Sequence, residues 1–135
     1  MFTNVEHIGI AVKDLEQAKA RYQGLLNTSP YKEETVAREG VRTSFFKVGA
    51  TKIELLQATE PDSPIQKFID KKGEGIHHMA FEVDDIEAEM QRLQAEGYQL
   101  LMDTPKKGAD NKLICFVHPK SSGGVLIELC QEIRS

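Results

Sequence analysis

Tryptophan is absent from this 135-residue chain, and tyrosine occurs only three times. With so few large aromatic residues, the chain lacks the stacking platforms that are typical of proteins that bind single-stranded nucleic acid. Its net charge of −4 also means that it lacks the excess of positive charge that attracts nucleic acid. No apolar run approaches the ~20 residues that a membrane-spanning helix needs. We therefore expect neither nucleic acid nor a membrane as a partner.

Cysteine is also scarce, since only Cys115 and Cys130 are present and neither has a close-spaced partner. Such cysteines are typical of reduced, buried thiols in a cytoplasmic protein. The first strand pattern begins at Val5, and we therefore expect no signal or transit peptide. A hydrophobic content of 40% with 28% charged residues indicates an ordinary globular protein.

What the chain does contain is an internal repeat. Residues 5–12 read VEHIGIAV and residues 76–83 read IHHMAFEV, so that His7 aligns with His78. Farther along each half, KIEL at 52–55 matches LIEL at 126–129, so that Glu54 aligns with Glu128. Each half therefore carries one histidine and one glutamate at matching places, which indicates one metal site built from duplicated scaffolds.

The periodicity of each half predicts the element order βαβββ, and we expect a single domain over 4–133 made of repeats at about 4–60 and 75–133. Asp14 and Asp85 are predicted to cap the main helices, and Ser63 a short one. The predicted helices are 15–26, 64–71 and 86–96; the predicted strands are 5–12, 31–38, 41–48, 52–57, 76–83, 98–102, 112–117 and 125–130, with a loop at 103–111.

Alternation along the strands separates the candidate ligands from their neighbours. If His78 faces the site, His77 faces the helix layer and is structural. The residues flanking Glu54 and Glu128 in sequence are apolar and point to the other face. A carboxylate in that position is unfavourable unless its own face is wet or holds a cation. His118 is predicted to belong to a turn.

Two imidazoles and two carboxylates suit one divalent metal ion per chain, and Co, Zn, Ni, Mn and Fe(II) are all compatible with this donor set. Taken singly, a strand histidine is more often hydrogen-bonded within the protein and a strand glutamate more often solvated. The repeat favours the metal site, because the same two positions are filled twice.

Several blocks of the sequence carry a resemblance to a known family. The chain resembles the vicinal-oxygen-chelate superfamily, which includes glyoxalase I, extradiol dioxygenases and fosfomycin-resistance proteins. Within it, the chain is most similar to the methylmalonyl-CoA epimerases, over essentially its whole length. The blocks are HIGIAV from His7, TKIELL from Thr51, DSPI from Asp62, GEGIHHMAFEVDDI from Gly73, FVHPK from Phe116 and GGVLIEL from Gly123.

This resemblance implies an α+β fold in which paired βαβββ modules form a half-open mixed β-barrel around the metal. It places metal ligands at His7, Glu54, His78 and Glu128. The implied reaction is metal-dependent epimerisation of methylmalonyl-CoA at its α-carbon through a metal-stabilised enolate. Glu128 and Glu54 are the candidate acid/base residues, with Glu128 preferred. Relatives often pair, so a homodimer acting on an acyl-CoA is expected.

One position departs from the family pattern. Some epimerases of this family have a glutamate, proposed as a catalytic base, where this chain has Thr43. The second acid or base is therefore open. Two other functions also stay open: a glyoxalase I-type isomerase, which uses the same ligand set on a hemithioacetal, and a non-catalytic small-molecule-binding member of the superfamily.

Overall fold

The structure of the protein is a computed structural model that describes residues 1–108 and 111–133. In it, the helices begin at the capping residues that the sequence predicts. The Asp14 carboxylate accepts a hydrogen bond from the Gln17 amide at 3.1 Å, and that of Asp85 accepts one from the Ala88 amide at the same distance. Ser63 caps the short helix in the same way. The helices are α1 (Leu15–Leu26), α2 (Pro64–Lys72) and α3 (Ile86–Ala95).

The strands of the two halves are hydrogen-bonded in matching orders. In the first half the order is β2-β3-β4-β1, and in the second half it is β6-β7-β8-β5. In each half the outer strands pair antiparallel, whereas the first strand pairs parallel with the last. The strands are β1 (Phe2–Ala11), β2 (Lys32–Val36), β3 (Val41–Val48), β4 (Thr51–Ala58), β5 (Gly75–Val83), β6 (Lys106–Lys107), β7 (Lys112–Val117) and β8 (Leu126–Glu132).

The chain divides into two compact units whose boundaries fall inside strands. The N-terminal unit is His7–His77, and the C-terminal unit joins Met1–Glu6 to the chain from His78 onward. Strands β1 and β5 therefore each contribute residues to both units. The two candidate histidine ligands are the residues at which these strands pass from one unit to the other.

Each unit has its own hydrophobic clusters, formed between its strands and the helices that cover them. In the N-terminal unit, Leu15 of α1 packs with Phe46 and Leu55, and all three are fully buried. A second cluster in this unit lies under α2 and includes Ile65 and Ile69. In the C-terminal unit, α3 covers a cluster of Val83, Ile86, Met90, Leu93, Cys115, Val117 and Leu129.

The predicted strand at 98–102 is wrong. Only Leu100 of that stretch forms a bridge, to Val117. After Leu100 the chain moves away from β7. It pairs with β7 again as the two-residue strand β6, within the stretch predicted to be a loop. Pro105 lies just before β6 and has no amide hydrogen to donate to a strand ladder. The remaining predicted helices and strands are confirmed, with ends shifted by a few residues.

One glutamine in each half forms a hydrogen bond between the main helix and the strand that carries the candidate glutamate. The Gln57 side-chain oxygen accepts a hydrogen bond from the Leu15 amide at 2.6 Å, and Gln131 does the same for Ile86 at 2.6 Å. Both bonds are partly buried and satisfy one of the amides that a helix N-terminus leaves without an intrahelical partner. The sequence analysis did not identify this duplicated contact.

We expect Gln131→Ala to lower the free energy of unfolding by about 1–3 kcal/mol, because it leaves the half-buried Ile86 amide without an acceptor. Gln23→Ala is the matched control, since the Gln23 side chain donates an exposed hydrogen bond to Ser29 and makes no other side-chain bond among the described residues. It should change the free energy of unfolding by less than about 0.5 kcal/mol. Urea denaturation of both variants measures this, and equal effects would contradict the role assigned to Gln131.

Candidate metal and substrate site

In the N-terminal unit, strand register brings His7 and Glu54 together. Strands β1 and β4 are parallel, with His7 opposite Lys52 and Gly9 opposite Glu54. The two candidate ligands therefore share one face of the sheet. The distance from His7 Nε2 to Glu54 Oε1 is 3.8 Å, and both side chains are largely buried.

The C-terminal unit repeats this arrangement. Strands β5 and β8 are parallel, with His78 opposite Leu126 and Ala80 opposite Glu128. The distance from His78 Nε2 to Glu128 Oε1 is 3.9 Å, and both side chains are again largely buried. In each unit the glutamate lies opposite the residue two positions after the histidine, so the two half-sites have the same register.

A small residue lies directly opposite the glutamate in both half-sites. Gly9 and Ala80 are buried and are the cross-strand neighbours of Glu54 and Glu128. Because neither has a side chain larger than a methyl group, each carboxylate has room to approach its imidazole. The sequence analysis missed these residues, although their separation equals that of His7 and His78.

The donor atoms fit a divalent metal. His7, Glu54 and His78 offer imidazole nitrogens and a carboxylate oxygen that are suitable metal ligands, and Glu128 offers a second carboxylate. The predicted strand parity also agrees with the packing. Leu55 and Leu129, next to the two glutamates in sequence, are fully buried in the cores on the other face.

Three further residues make structural contacts, and those of His77 and His118 fit their predicted roles. The His77 ring meets the Phe68 ring of α2 edge-on at a centroid distance of 5.1 Å. Glu82 accepts hydrogen bonds from the side chains of Thr3 and Asn4 at 3.2 Å. His118 Nδ1 accepts one from the Lys120 amide at 3.0 Å, which caps a turn.

Thr43 lies on the same face as Glu54 but offers no ionisable group. It pairs with Leu56 across β3 and β4, two positions from Glu54, and only 3% of it is exposed. Its hydroxyl and that of Ser44 are buried without a hydrogen-bond partner among the described residues. A threonine hydroxyl does not ionise near pH 7, so Thr43 cannot act as the base that the resemblance implies for a glutamate at this position.

Both cysteines are buried free thiols, as predicted. Burial, together with the nearby Glu128 charge, raises the pKa of the Cys115 thiol to about 11. Burial raises the pKa of Cys130 to about 12, although the Lys112 ammonium opposes this shift. Both are therefore neutral near pH 7, and neither has the thiolate character of a catalytic nucleophile.

The half-sites and their parallel strand pairs agree with the match to a family model. Residues 6–116 match the model of the Glyoxalase/Bleomycin resistance protein/Dioxygenase superfamily. The chain belongs to this superfamily. The resemblance stated from the sequence is confirmed. Among the described residues of this superfamily member, no helix is both long and apolar enough to cross a membrane.

Named relatives cover nearly the whole chain. The mitochondrial methylmalonyl-CoA epimerase of Homo sapiens is 41% identical over 128 residues, which are 94% of this chain and 73% of that protein. An ethylmalonyl-CoA/methylmalonyl-CoA epimerase of Cereibacter sphaeroides is 40% identical over 133 residues, which are 97% of this chain and 99% of that protein.

A solved structure supports the same assignment at the level of the fold. A variant of the Streptomyces coelicolor methylmalonyl-CoA epimerase in complex with 2-nitronate-propionyl-CoA has a TM-score of 0.88 and 34% identity. The match covers 99% of this chain and 100% of that chain. The predicted fold class, an α+β fold of paired βαβββ modules of the glyoxalase type, is therefore confirmed.

Proposed function

We propose that this chain catalyses the epimerisation of methylmalonyl-CoA at its α-carbon. The observation that carries the proposal is the duplicated His/Glu half-site, present in the same strand register in both units. The choice of substrate rests on relatives at about 40% identity that are named as epimerases of this acyl-CoA.

The α-carbon of this substrate lies between a thioester and a carboxylate. Its proton is acidic only if the negative charge left after deprotonation is stabilised. His7, Glu54, His78 and Glu128 would together hold one divalent metal ion, as their donor types favour. That ion would supply a Lewis acid for the charge that develops on the substrate's oxygens.

Inversion of the centre needs a proton acceptor on one side of the α-carbon and a donor on the other. The two half-sites each supply one carboxylate, which matches this requirement. We assign Glu128 as the main base and Glu54 as the partner acid, with the roles exchanged for the opposite epimer. Neither the buried neutral thiols nor Thr43 competes for these roles, because none of them is ionised near pH 7.

Two alternatives remain testable. A glyoxalase I-type isomerase would use the same four side chains on the hemithioacetal of methylglyoxal and glutathione. A non-catalytic binding protein would not need both carboxylates beside both imidazoles. The human and C. sphaeroides relatives favour the epimerase over either alternative. The homodimer, the cytoplasmic location and the single domain over 4–133 stay predictions.

Incubating the metal-loaded protein with one epimer of methylmalonyl-CoA in D2O should place deuterium at the α-carbon and yield the other epimer. The physical reason is that the proton removed by one carboxylate is replaced from a group in exchange with solvent. Proton NMR and chiral product analysis measure both events. Much faster turnover of the methylglyoxal–glutathione adduct would show that the glyoxalase interpretation is right and ours is wrong.

The protein should hold about one divalent ion per chain, because the donor set matches one coordination sphere. His78→Ala should lower the metal content sharply. His77→Ala is the matched control: its ring packs against Phe68, so the variant should keep its metal and lose only stability. Elemental analysis after gel filtration separates these outcomes, and equal metal loss in both variants would refute the assigned strand parity.

Glu128→Gln should lower α-proton exchange by ~100-fold or more at full metal occupancy, because the amide cannot accept the proton. Thr43→Ala should have a much smaller effect, since the Thr43 hydroxyl has no partner to lose among the described residues. Metal content is measured in each variant, so that an empty protein is not mistaken for a missing base. Near-normal exchange in metal-replete Glu128→Gln would shift the assignment to Glu54.

A further inference from the structure

A phenylalanine stands directly across from the candidate glutamate in each unit. Phe45 of β3 pairs with Glu54 of β4, and Phe116 of β7 pairs with Glu128 of β8. Directly paired residues of antiparallel strands project from the same face, with Cβ atoms about 4.5–5.5 Å apart. Each ring therefore lies on the face that carries the half-site, beside the carboxylate.

The two neighbours of each carboxylate differ strongly in size. On the side of the histidine strand the neighbour is Gly9 or Ala80, and on the other side it is a phenyl ring. Each carboxylate approaches the imidazole of its half-site on the side of the small neighbour, at distances of 3.8 and 3.9 Å. Each half-site is thus open on one side and bounded by an apolar ring on the other.

These rings are not part of the cores. The residues beside them in sequence, Phe46 and Cys115, are fully buried and belong to the core clusters on the opposite face. Among the described residues, neither Phe45 nor Phe116 belongs to a hydrophobic core cluster, and both are only partly buried. Two large apolar surfaces are therefore left on the half-site face, where polar groups are otherwise needed for chemistry.

We propose that each ring is the wall of its own half-site, against which the alkyl branch of the substrate's α-carbon packs and which limits the size of that branch. This inference rests on the proposed function. Of the three carbon substituents at that centre, the thioester and the carboxylate are polar, and the alkyl branch alone matches an apolar ring. The branch lies one bond from the carbon that a carboxylate must deprotonate, so a wall beside each carboxylate is in reach of it.

In the N-terminal unit, two further side chains pack against the Phe45 ring. The Tyr31 ring lies 6.3 Å from the Phe45 ring, and the Lys32 ammonium lies 5.4 Å from the Phe45 ring centre. Both neighbours come from the chain at or next to β2, on the side of Phe45 away from Glu54. They keep the ring from moving outward when a larger branch enters.

The test compares kcat/KM for methylmalonyl-CoA and ethylmalonyl-CoA in the wild type and in Phe116→Ala and Phe45→Ala. Removing a wall should raise the ethyl-to-methyl ratio by about 10-fold or more, because one methylene in an apolar pocket changes discrimination by ~10–200-fold. Metal content should stay at the wild-type level, since neither ring is a ligand. Phe116→Leu is included as a smaller change that keeps the strand packed.

Ile114→Ala is the matched control. Ile114 lies on the same strand and face as Phe116 but pairs with Cys130 instead of Glu128, so its truncation should leave the ratio unchanged. An unchanged ratio in all the phenylalanine variants, with both substrates slowed equally, would overturn the wall and leave the rings as packing for the carboxylates. A wild type that epimerises neither substrate would instead refute the proposed function, and the wall with it.

Discussion

The parallel pairing of the first and last strand of each half is the constraint on which the candidate site depends. Parallel register places His7 and Glu54, or His78 and Glu128, on one face at neighbouring rows. A shift of one residue would turn one member of the pair into the core. The register is specified by the opposite face, where Leu55 and Leu129 are fully buried under the helices. Burial of apolar surface on one side thus fixes the chemistry on the other.

Much of the fold follows from local sequence signals. Aspartates before apolar runs located the starts of α1 and α3, and alternation located the strands and separated His77 from His78. The second strand of the second half did not follow, because its pairing with β7 is divided between a bridge at Leu100 and the short strand Lys106–Lys107. Pairing of that kind depends on where β7 lies, which no local pattern specifies.

The candidate ligands could be predicted because the repeat places the same residue types at the same positions twice. Their neighbours across the strands could not, since Gly9, Ala80, Phe45 and Phe116 become neighbours of a glutamate only when the register is known. The glutamine contacts to the helix N-termini could not be predicted either. Gln57 and Gln131 occur at equivalent places in the repeat, but a polar residue near a strand end usually faces solvent.

The first six residues belong to the C-terminal unit, and this has a consequence for how the chain folds. The Thr3 hydroxyl donates to Glu82, and the Phe2 ring lies 5.5 Å from the Phe81 ring. These contacts join parts of the chain that are almost eighty positions apart. Pairings of such high sequence separation raise contact order and slow folding. During synthesis, β1 emerges long before β5. The beginning of β1 therefore stays without these contacts until most of the protein has left the ribosome.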